Sequence, residues 1–505
     1  MTQPDTLAAS PHAQPPTTRT VAPVLTALAV ALASALVLTL AGCASTQGIA
    51  PTAKKLDPAT LGLAGTAPTP EPAPRLDAQW WRSFGDDTLT GLVDQALAGS
   101  PNLKVAQARL QRAQAGADVV RSADWPQLNA GFDAQRQHYT ANGLVPPPIA
   151  GTMRETGTLQ ATASWEIDFF GRNRAALDAA VGAQRAAEAD AQAARVLLAS
   201  NVARSYLQLA RLVEQREVAQ ASLQQRDSVL SLIRQRVDAG LDTKVELRQG
   251  EGALPETRAQ LEALDEQITL TRHALAALTV QPPNALDALT PRLATLKAQP
   301  LPGAVPADLL GRRADISAAR WRVEAATGDV KAARAQFYPN VNLTAFVGFS
   351  SIGLDRLLKS SSEQFGAGPA IRLPIFDAGR LRANLRGKSA DLDAAVESYN
   401  ATLVDAVRDV ADQIASLQSI TRQQTEQAAA REAAESAYDI AVQRYKAGLG
   451  TYLVVLNAES GVLAQRRAAA DLQARALDTQ VALIRSLGGG YANDTTAAAH
   501  TVAGH

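Results

Sequence analysis

Apolar and polar residues alternate one by one through the stretch ending at Gly171. Leu159, Ala161, Ala163, Trp165, Ile167 and Phe169 fall on one side, and Thr158, Gln160, Thr162, Ser164, Glu166 and Asp168 on the other. A period of two predicts a strand with one greasy and one wet face. Upstream, Leu128, Ala130, Phe132 and Ala134 alternate with Asn129, Gly131, Asp133 and Gln135, so the pair reads as a hairpin joined by a long loop with three prolines at 146–148. From Arg172 the period becomes helical and holds for about 65 residues, or ~100 Å of helix. Leu198, Val202, Tyr206, Leu209 and Val213, then Leu223, Leu230, Ile233 and Val237, mark a coiled-coil seam with Ala on its flanks. Gly240 stops that helix, and Thr243-Lys244-Val245-Glu246 restarts one as a capping box, which predicts a tight helical hairpin returning to about Val280. Pro255 is expected to kink the return helix.

The same order then repeats. Asp315–Pro339 matches Asn102–Pro126 at an offset of 213, and Arg444-Tyr445-Lys446-Ala447-Gly448 matches Arg236-Val237-Asp238-Ala239-Gly240 at an offset of 208. A second strand-to-helix junction, Leu373-Pro374-Ile375-Phe376-Asp377-Ala378-Gly379-Arg380, follows a second alternating pair. The chain therefore reads as an internal duplication. Residues 80–280 form the first repeat, with a β-hairpin at 127–169 and a helical tip at 240. Residues 307–487 form the second, with a β-hairpin at 340–375 and a tip at 448. The Pro-rich stretch 281–306 between them reads as a surface belt, and 488–505 as a disordered tail.

The N-terminal region changes the picture. Arg19 precedes an apolar run from Val21 to Leu40, closed by Leu40-Ala41-Gly42-Cys43, with the only cysteine of the chain at the break. Charged start, apolar core and small residues describe an export signal over 1–42. Residues 43–79, rich in Pro, Thr, Ala and Gly, read as a tether. The n-region is long and Pro-rich, which leaves open a start codon downstream of Met1.

Four strands with one apolar face cannot close a membrane barrel, and an open edge in lipid strands backbone groups at several kcal/mol each. If the strands span a membrane, the chain must oligomerise: two copies give a narrow filled barrel, three give twelve strands and room for a channel. Charge is balanced at 49 basic and 49 acidic residues, which argues against nucleic acid as a partner. The five histidines are scattered without metal-ligand spacing, and no phosphate loop or nucleophile elbow occurs, so neither enzyme activity, metal nor cofactor is expected.

Taken with the duplication, Leu40–Cys43, Trp165–Arg172, Leu373–Arg380 and the paired tips at Arg236/Gly240 and Arg444/Gly448 resemble the TolC-like bacterial outer-membrane efflux proteins, in their lipoprotein, NodT-type branch. The resemblance implies an α+β membrane protein working as a homotrimer, with a 12-stranded β-barrel in the outer membrane and a coiled-coil α-barrel in the periplasm. It implies passive export of drugs or other small molecules, received from an RND-type inner-membrane transporter through a periplasmic adaptor. It also implies lipidation at Cys43, with the anchor in outer-membrane lipid. By the same resemblance Leu453, Asn457, Val245, Gln249, Glu246 and Tyr445 sit at the periplasmic aperture, with Asn457 where an aspartate is usual. Arg236, Gly240, Arg444 and Gly448 sit at tips that dock the adaptor. Glu166 and Asp168 are expected to face the duct, and Trp165 and Phe169 the membrane edge. An exit duct for type I protein secretion is the alternative within the fold, and a non-pore coiled-coil scaffold lipoprotein the alternative outside it.

Overall fold

The computed structural model describes residues 45–61, 77–297 and 313–491. Cys43 and the export signal lie outside them, as do the tail from 492 and the belt residues 298–312. Two compact units share the chain. Of the described residues, one holds 45–50 with 129–170 and 333–387; the other holds the described parts of 51–128, 171–332 and 388–491.

The first unit carries the sheet. Strands β1 (Gln127–His138), β2 (Met153–Ile167), β3 (Asn340–Ile352) and β4 (Glu363–Arg372) lie in the order β1-β2-β3-β4. The two hairpins join through β2 and β3, antiparallel from Thr156↔Ile352 to Ile167↔Val341. The β3–β4 pairing runs from Asn340↔Arg372 to Phe349↔Glu363. This register puts Leu159, Phe349, Val347, Phe365, Trp165 and Leu343 on one face, and Gln160, Gln364, Thr162, Ser164, Thr344 and Asn342 on the other, as the alternation predicts. Val347 and Phe365 stay exposed within one chain, and β1 and β4 are the sheet's edges. No helix among the described residues is long and apolar enough to cross a membrane.

The second unit is helical. Asp86 caps α1 (Asp87–Gly99) by accepting from Leu89 N at 2.9 Å, and Ser100, followed by Pro101, caps α2 (Pro101–Arg121). Helix α3 (Arg172–Asp238) returns as α4 (Lys244–Leu278); after α5 (Ala314–Ala335), α6 (Arg380–Lys446) returns as α7 (Tyr452–Ser486). The duplication is visible in lengths: α3 and α6 have 67 residues each, α4 and α7 have 35. Helix α4 continues through Pro255. Its core gathers Trp80, Trp81 and Phe84 against Leu89, Val93, Tyr206, Leu209 and Ile484. Tyr206 anchors this region by donating to Asp86 Oδ2 at 2.8 Å. Burial first, then Asp86, pushes its hydroxyl well above the usual tyrosine range.

Three expectations are corrected here. The tether is ordered and bound over 51–57: Asp393 accepts from Thr52 N (2.7 Å) and Ala53 N (2.8 Å), and Asn400 accepts from Leu56 N (2.8 Å). Asn400 also donates to Lys54 O at 2.9 Å, and Lys55 pairs with Glu324. Two acceptor-bearing side chains seven residues apart on α6 take up its amides. In the sheet-bearing unit, Arg382 donates to the carbonyls of Ser45 and Gln47, two and four residues beyond Cys43. The belt segment is not all surface, because Leu293 and Leu296 enter the core. Finally, β2 ends at Ile167, so Asp168 lies beyond the alternation that was to pair it with Glu166.

The two strand-to-helix junctions differ chemically. Gly171, at φ 73°, starts α3 with no side-chain cap. Before α6, Ala378 and Gly379 both take positive φ, and Asp377 accepts from Gly379 N (3.0 Å) and Leu381 N (2.9 Å). In the first junction Phe170 instead stacks on Tyr338, with ring centroids 4.9 Å apart.

Candidate functional site

The tips of the two helical hairpins are built alike up to the turn. Gly240 (φ 72°) and Gly448 (φ 75°) take the left-handed conformation that ends each long helix. Leu241 N then donates to Arg236 O, and Leu449 N to Arg444 O, both at 2.8 Å. Each turn leaves one leucine outside: Leu241 is 66 % exposed and Leu449 68 %.

Beyond the turn the tips diverge. Arg236 Nε donates to Asp242 Oδ2 at 2.9 Å, and its Nη1 reaches the carbonyl of Tyr445 in the other repeat at 3.3 Å. Its guanidinium lies 4.8 Å from the centroid of the Tyr445 ring. Tyr445, 1 % exposed, donates its hydroxyl to Asp242 and sits 6.1 Å from the ring of Tyr452. Burial alone would raise the Asp242 carboxyl, but hydrogen bonds from Arg236 and Tyr445 outweigh it and hold it below the usual range. Burial, then the bond to Asp242, raises the Tyr445 hydroxyl. A cation, an anion and a phenol from both repeats thus fasten the first tip to the second. Arg236 is therefore turned inward, with 13 % of its side chain exposed, and is not offered to a docking partner. Arg444 is exposed and donates to Leu449 O at 3.2 Å.

A second tie lies deeper in the bundle. Arg226 of α3 meets Glu459 of α7 at 3.1 Å and donates to Ala253 O (3.0 Å) and Thr257 Oγ1 (2.8 Å) of α4. Ser222 adds a bond to Glu459 Oε1 at 3.3 Å. Burial raises the Glu459 carboxyl, and Arg226 only partly offsets this. Sequence reading missed this tie, although its signal was present. Arg226 recurs with Ser222, Leu230 and Ile233, and Glu459 with Tyr452, Val455 and Val462, at seam spacing.

Of the residues assigned to the aperture, Val245, Gln249, Leu453 and Asn457 are exposed. Tyr445 is buried and acts through its hydroxyl and ring instead. Glu246 is committed to the helix start, where Thr243 N donates to its Oε2 at 2.9 Å. The Thr243 side chain, then the backbone amides, hold its carboxyl low. Glu166 is half-buried opposite Asn342, while Trp165 and Phe169 are exposed.

An amphipathic four-stranded sheet and duplicated 67-residue helices tied at their tips define the architecture of an export duct. The chain matches the family model "Outer membrane efflux protein" over residues 92–280 and 305–489, and it belongs to that family. It is 34 % identical over 464 residues to the multidrug resistance outer membrane protein MdtQ of Escherichia coli, covering 90 % of this chain and 97 % of that one. It is 38 % identical over 360 residues to the fusaric acid resistance protein FusA of Burkholderia cepacia, covering 70 % and 68 %. Among solved structures, the outer membrane protein VceC of Vibrio cholerae superposes with a TM-score of 0.78 at 38 % identity, over 82 % of this chain and all of that one. The outer-membrane channel OprN superposes with the same TM-score at 30 % identity, over 88 % and 97 %. The chain is an outer-membrane efflux channel of TolC-like fold.

Proposed function

We propose that three copies of this chain assemble into the outer-membrane duct of a tripartite efflux system that exports drugs or other small molecules. The observation that carries the reading is the sheet: an apolar face exposed on one side, a polar face on the other, and two unpaired edges at β1 and β4. Pairing β4 of one copy with β1 of the next removes every edge, and three copies give a twelve-stranded barrel with a polar interior. Relatives named for multidrug and fusaric acid resistance support small toxic molecules as cargo.

The periplasmic end carries the gate and the docking site in this reading. Arg236, Asp242 and Tyr445 latch the tips, Leu453 and Val245 supply an apolar constriction, and the neutral Asn457 removes the acidic ring usual there. Leu241 and Leu449, beside Gly240 and Gly448, offer apolar knobs to a periplasmic adaptor, which links the duct to an RND-type transporter. Arg444 joins that docking surface. Glu166 faces the duct. Lipidation at Cys43 anchors the chain in outer-membrane lipid, and the bonds from Arg382 to Ser45 and Gln47 support an anchor held at the start of α6.

Native mass spectrometry of the protein extracted from outer membranes tests the assembly. Three chains, each carrying the mass of a diacylated and N-acylated Cys43, are expected; a monomer without lipid contradicts both parts.

A further inference from the structure

The polar face of the sheet has one feature out of character. Phe346 pairs with Thr162 on β2 and Gly366 on β4, so its side chain belongs to the face of Gln160, Thr162, Ser164 and Thr344. It is the only aromatic residue on that face among the described residues of β2, β3 and β4. The ring lies across Gly366: its Cε1 and Cζ stand 2.8 and 3.0 Å from where a Cβ on that glycine would be. The ring thus covers Gly366, and 38 % of the residue remains exposed. Two residues along β3, Gly348 is flanked by Gln160 and Gln364, whose side-chain amides join at 2.9 Å. Beyond the ring, a Cβ on Gly368 would meet nothing within 4 Å. An aromatic ring therefore lies over Gly366, between a bonded amide pair and an open glycine.

We propose that Phe346, with Gln160 and Gln364, forms a contact site on the duct wall for flat aromatic solutes. The inference rests on the reading above that the polar face lines the duct. A flat solute stacks offset on the exposed side of the ring, and the glutamine amides meet polar groups at its edge. An aromatic ring over a strand glycine also shelters backbone, but leucine supplies that cover without a π-face.

The test uses single-channel currents through the full-length protein in planar bilayers, with proflavine as a flat aromatic cation and tetraethylammonium as a ringless one. Proflavine is expected to block wild type at lower concentration. In Phe346→Leu its half-blocking concentration should rise about fivefold, while tetraethylammonium block and the heat-resistant oligomer are unchanged. In Gly366→Ala, which displaces the ring but keeps it, proflavine block should also weaken. Proflavine block that is absent in wild type, unchanged in Phe346→Leu, or shifted together with tetraethylammonium block overturns the proposal. A Thr158→Cys variant checks the underlying reading separately. A charged methanethiosulfonate reagent should alter its current, and a failure to do so means the polar face is not in the duct, which removes the proposal with it.

Discussion

Arg226 Nε lies 3.1 Å from Glu459 Oε1 with only 10 % and 7 % of the two side chains exposed, so one buried ion pair ties the first helical hairpin to the return helix of the second. Removing a single partner from such a pair costs about 3 kcal/mol, because the other charge is left desolvated. Glu459→Ala should lower the midpoint of thermal unfolding accordingly. Arg226→Met combined with Glu459→Leu should recover most of the loss. Equal losses in the single and double variants, measured by calorimetry, contradict this account of the tie.

Asp242 and Glu459 should respond to pH with opposite signs. Asp242 is held below its ordinary value, so its contribution is complete above about pH 4 and is lost as the pH falls through the lowered value. Asp242→Asn should therefore destabilise at pH 7 and match wild type in strong acid. Glu459 is raised, so ionisation costs folded stability as the pH rises through its shifted value. Glu459→Gln, whose carbonyl oxygen can still accept from Arg226, should lack this fall, so the stability difference between variant and wild type should move in the variant's favour as the pH rises. Unfolding curves of both variants from pH 3 to 8 check the signs.

Helices α3 and α5 touch backbone to backbone. A Cβ on Gly328 would stand 2.7 Å from Ala179 N and 2.9 Å from Ala175 O, and one on Gly182 would stand 2.9 Å from Ala325 N. These are atoms that cannot swing aside. Gly328→Val should cost about 3 kcal/mol or more through overpacking. Gly116→Val, whose added Cβ meets nothing within 4 Å, should instead be neutral or gain a few tenths of a kcal/mol, because valine is a better helix former than glycine.

Leu453 is exposed within one chain and is assigned to the apolar constriction. Leu453→Ser should raise single-channel conductance with little loss of thermal stability, since 53 % of the residue is already exposed. An unchanged conductance would mean that the constriction lies elsewhere.

Much of this fold was legible because its signals are periodic. The alternation at Leu159–Ile167 and Val341–Phe349 gave the strands and their faces, and the glycines at 240 and 448 gave the turns. What escaped depended on partners distant in sequence. Residues 51–57 look like a tether by composition, and nothing local reveals that Asp393 and Asn400 will bind their backbone. Arg236 reads as a cation favouring a helix end, and only the fold brings Tyr445 against it. Glu459 carries the charge of a solvated position, although its seam spacing with Tyr452 and Val455 marks it as buried. Leu223, read as seam, is only half-buried, because Ser222 and Arg226 occupy the seam in its place.

The central claim is that the chain forms a duct held shut by its tips. Single-channel recording of the purified full-length protein and its Arg236→Ala variant in planar bilayers tests it most directly. The account predicts small, rare openings in wild type, and larger, longer ones once the latch of Arg236, Asp242 and Tyr445 is cut. Bilayers that stay silent with both proteins, or identical openings in the two, would contradict it.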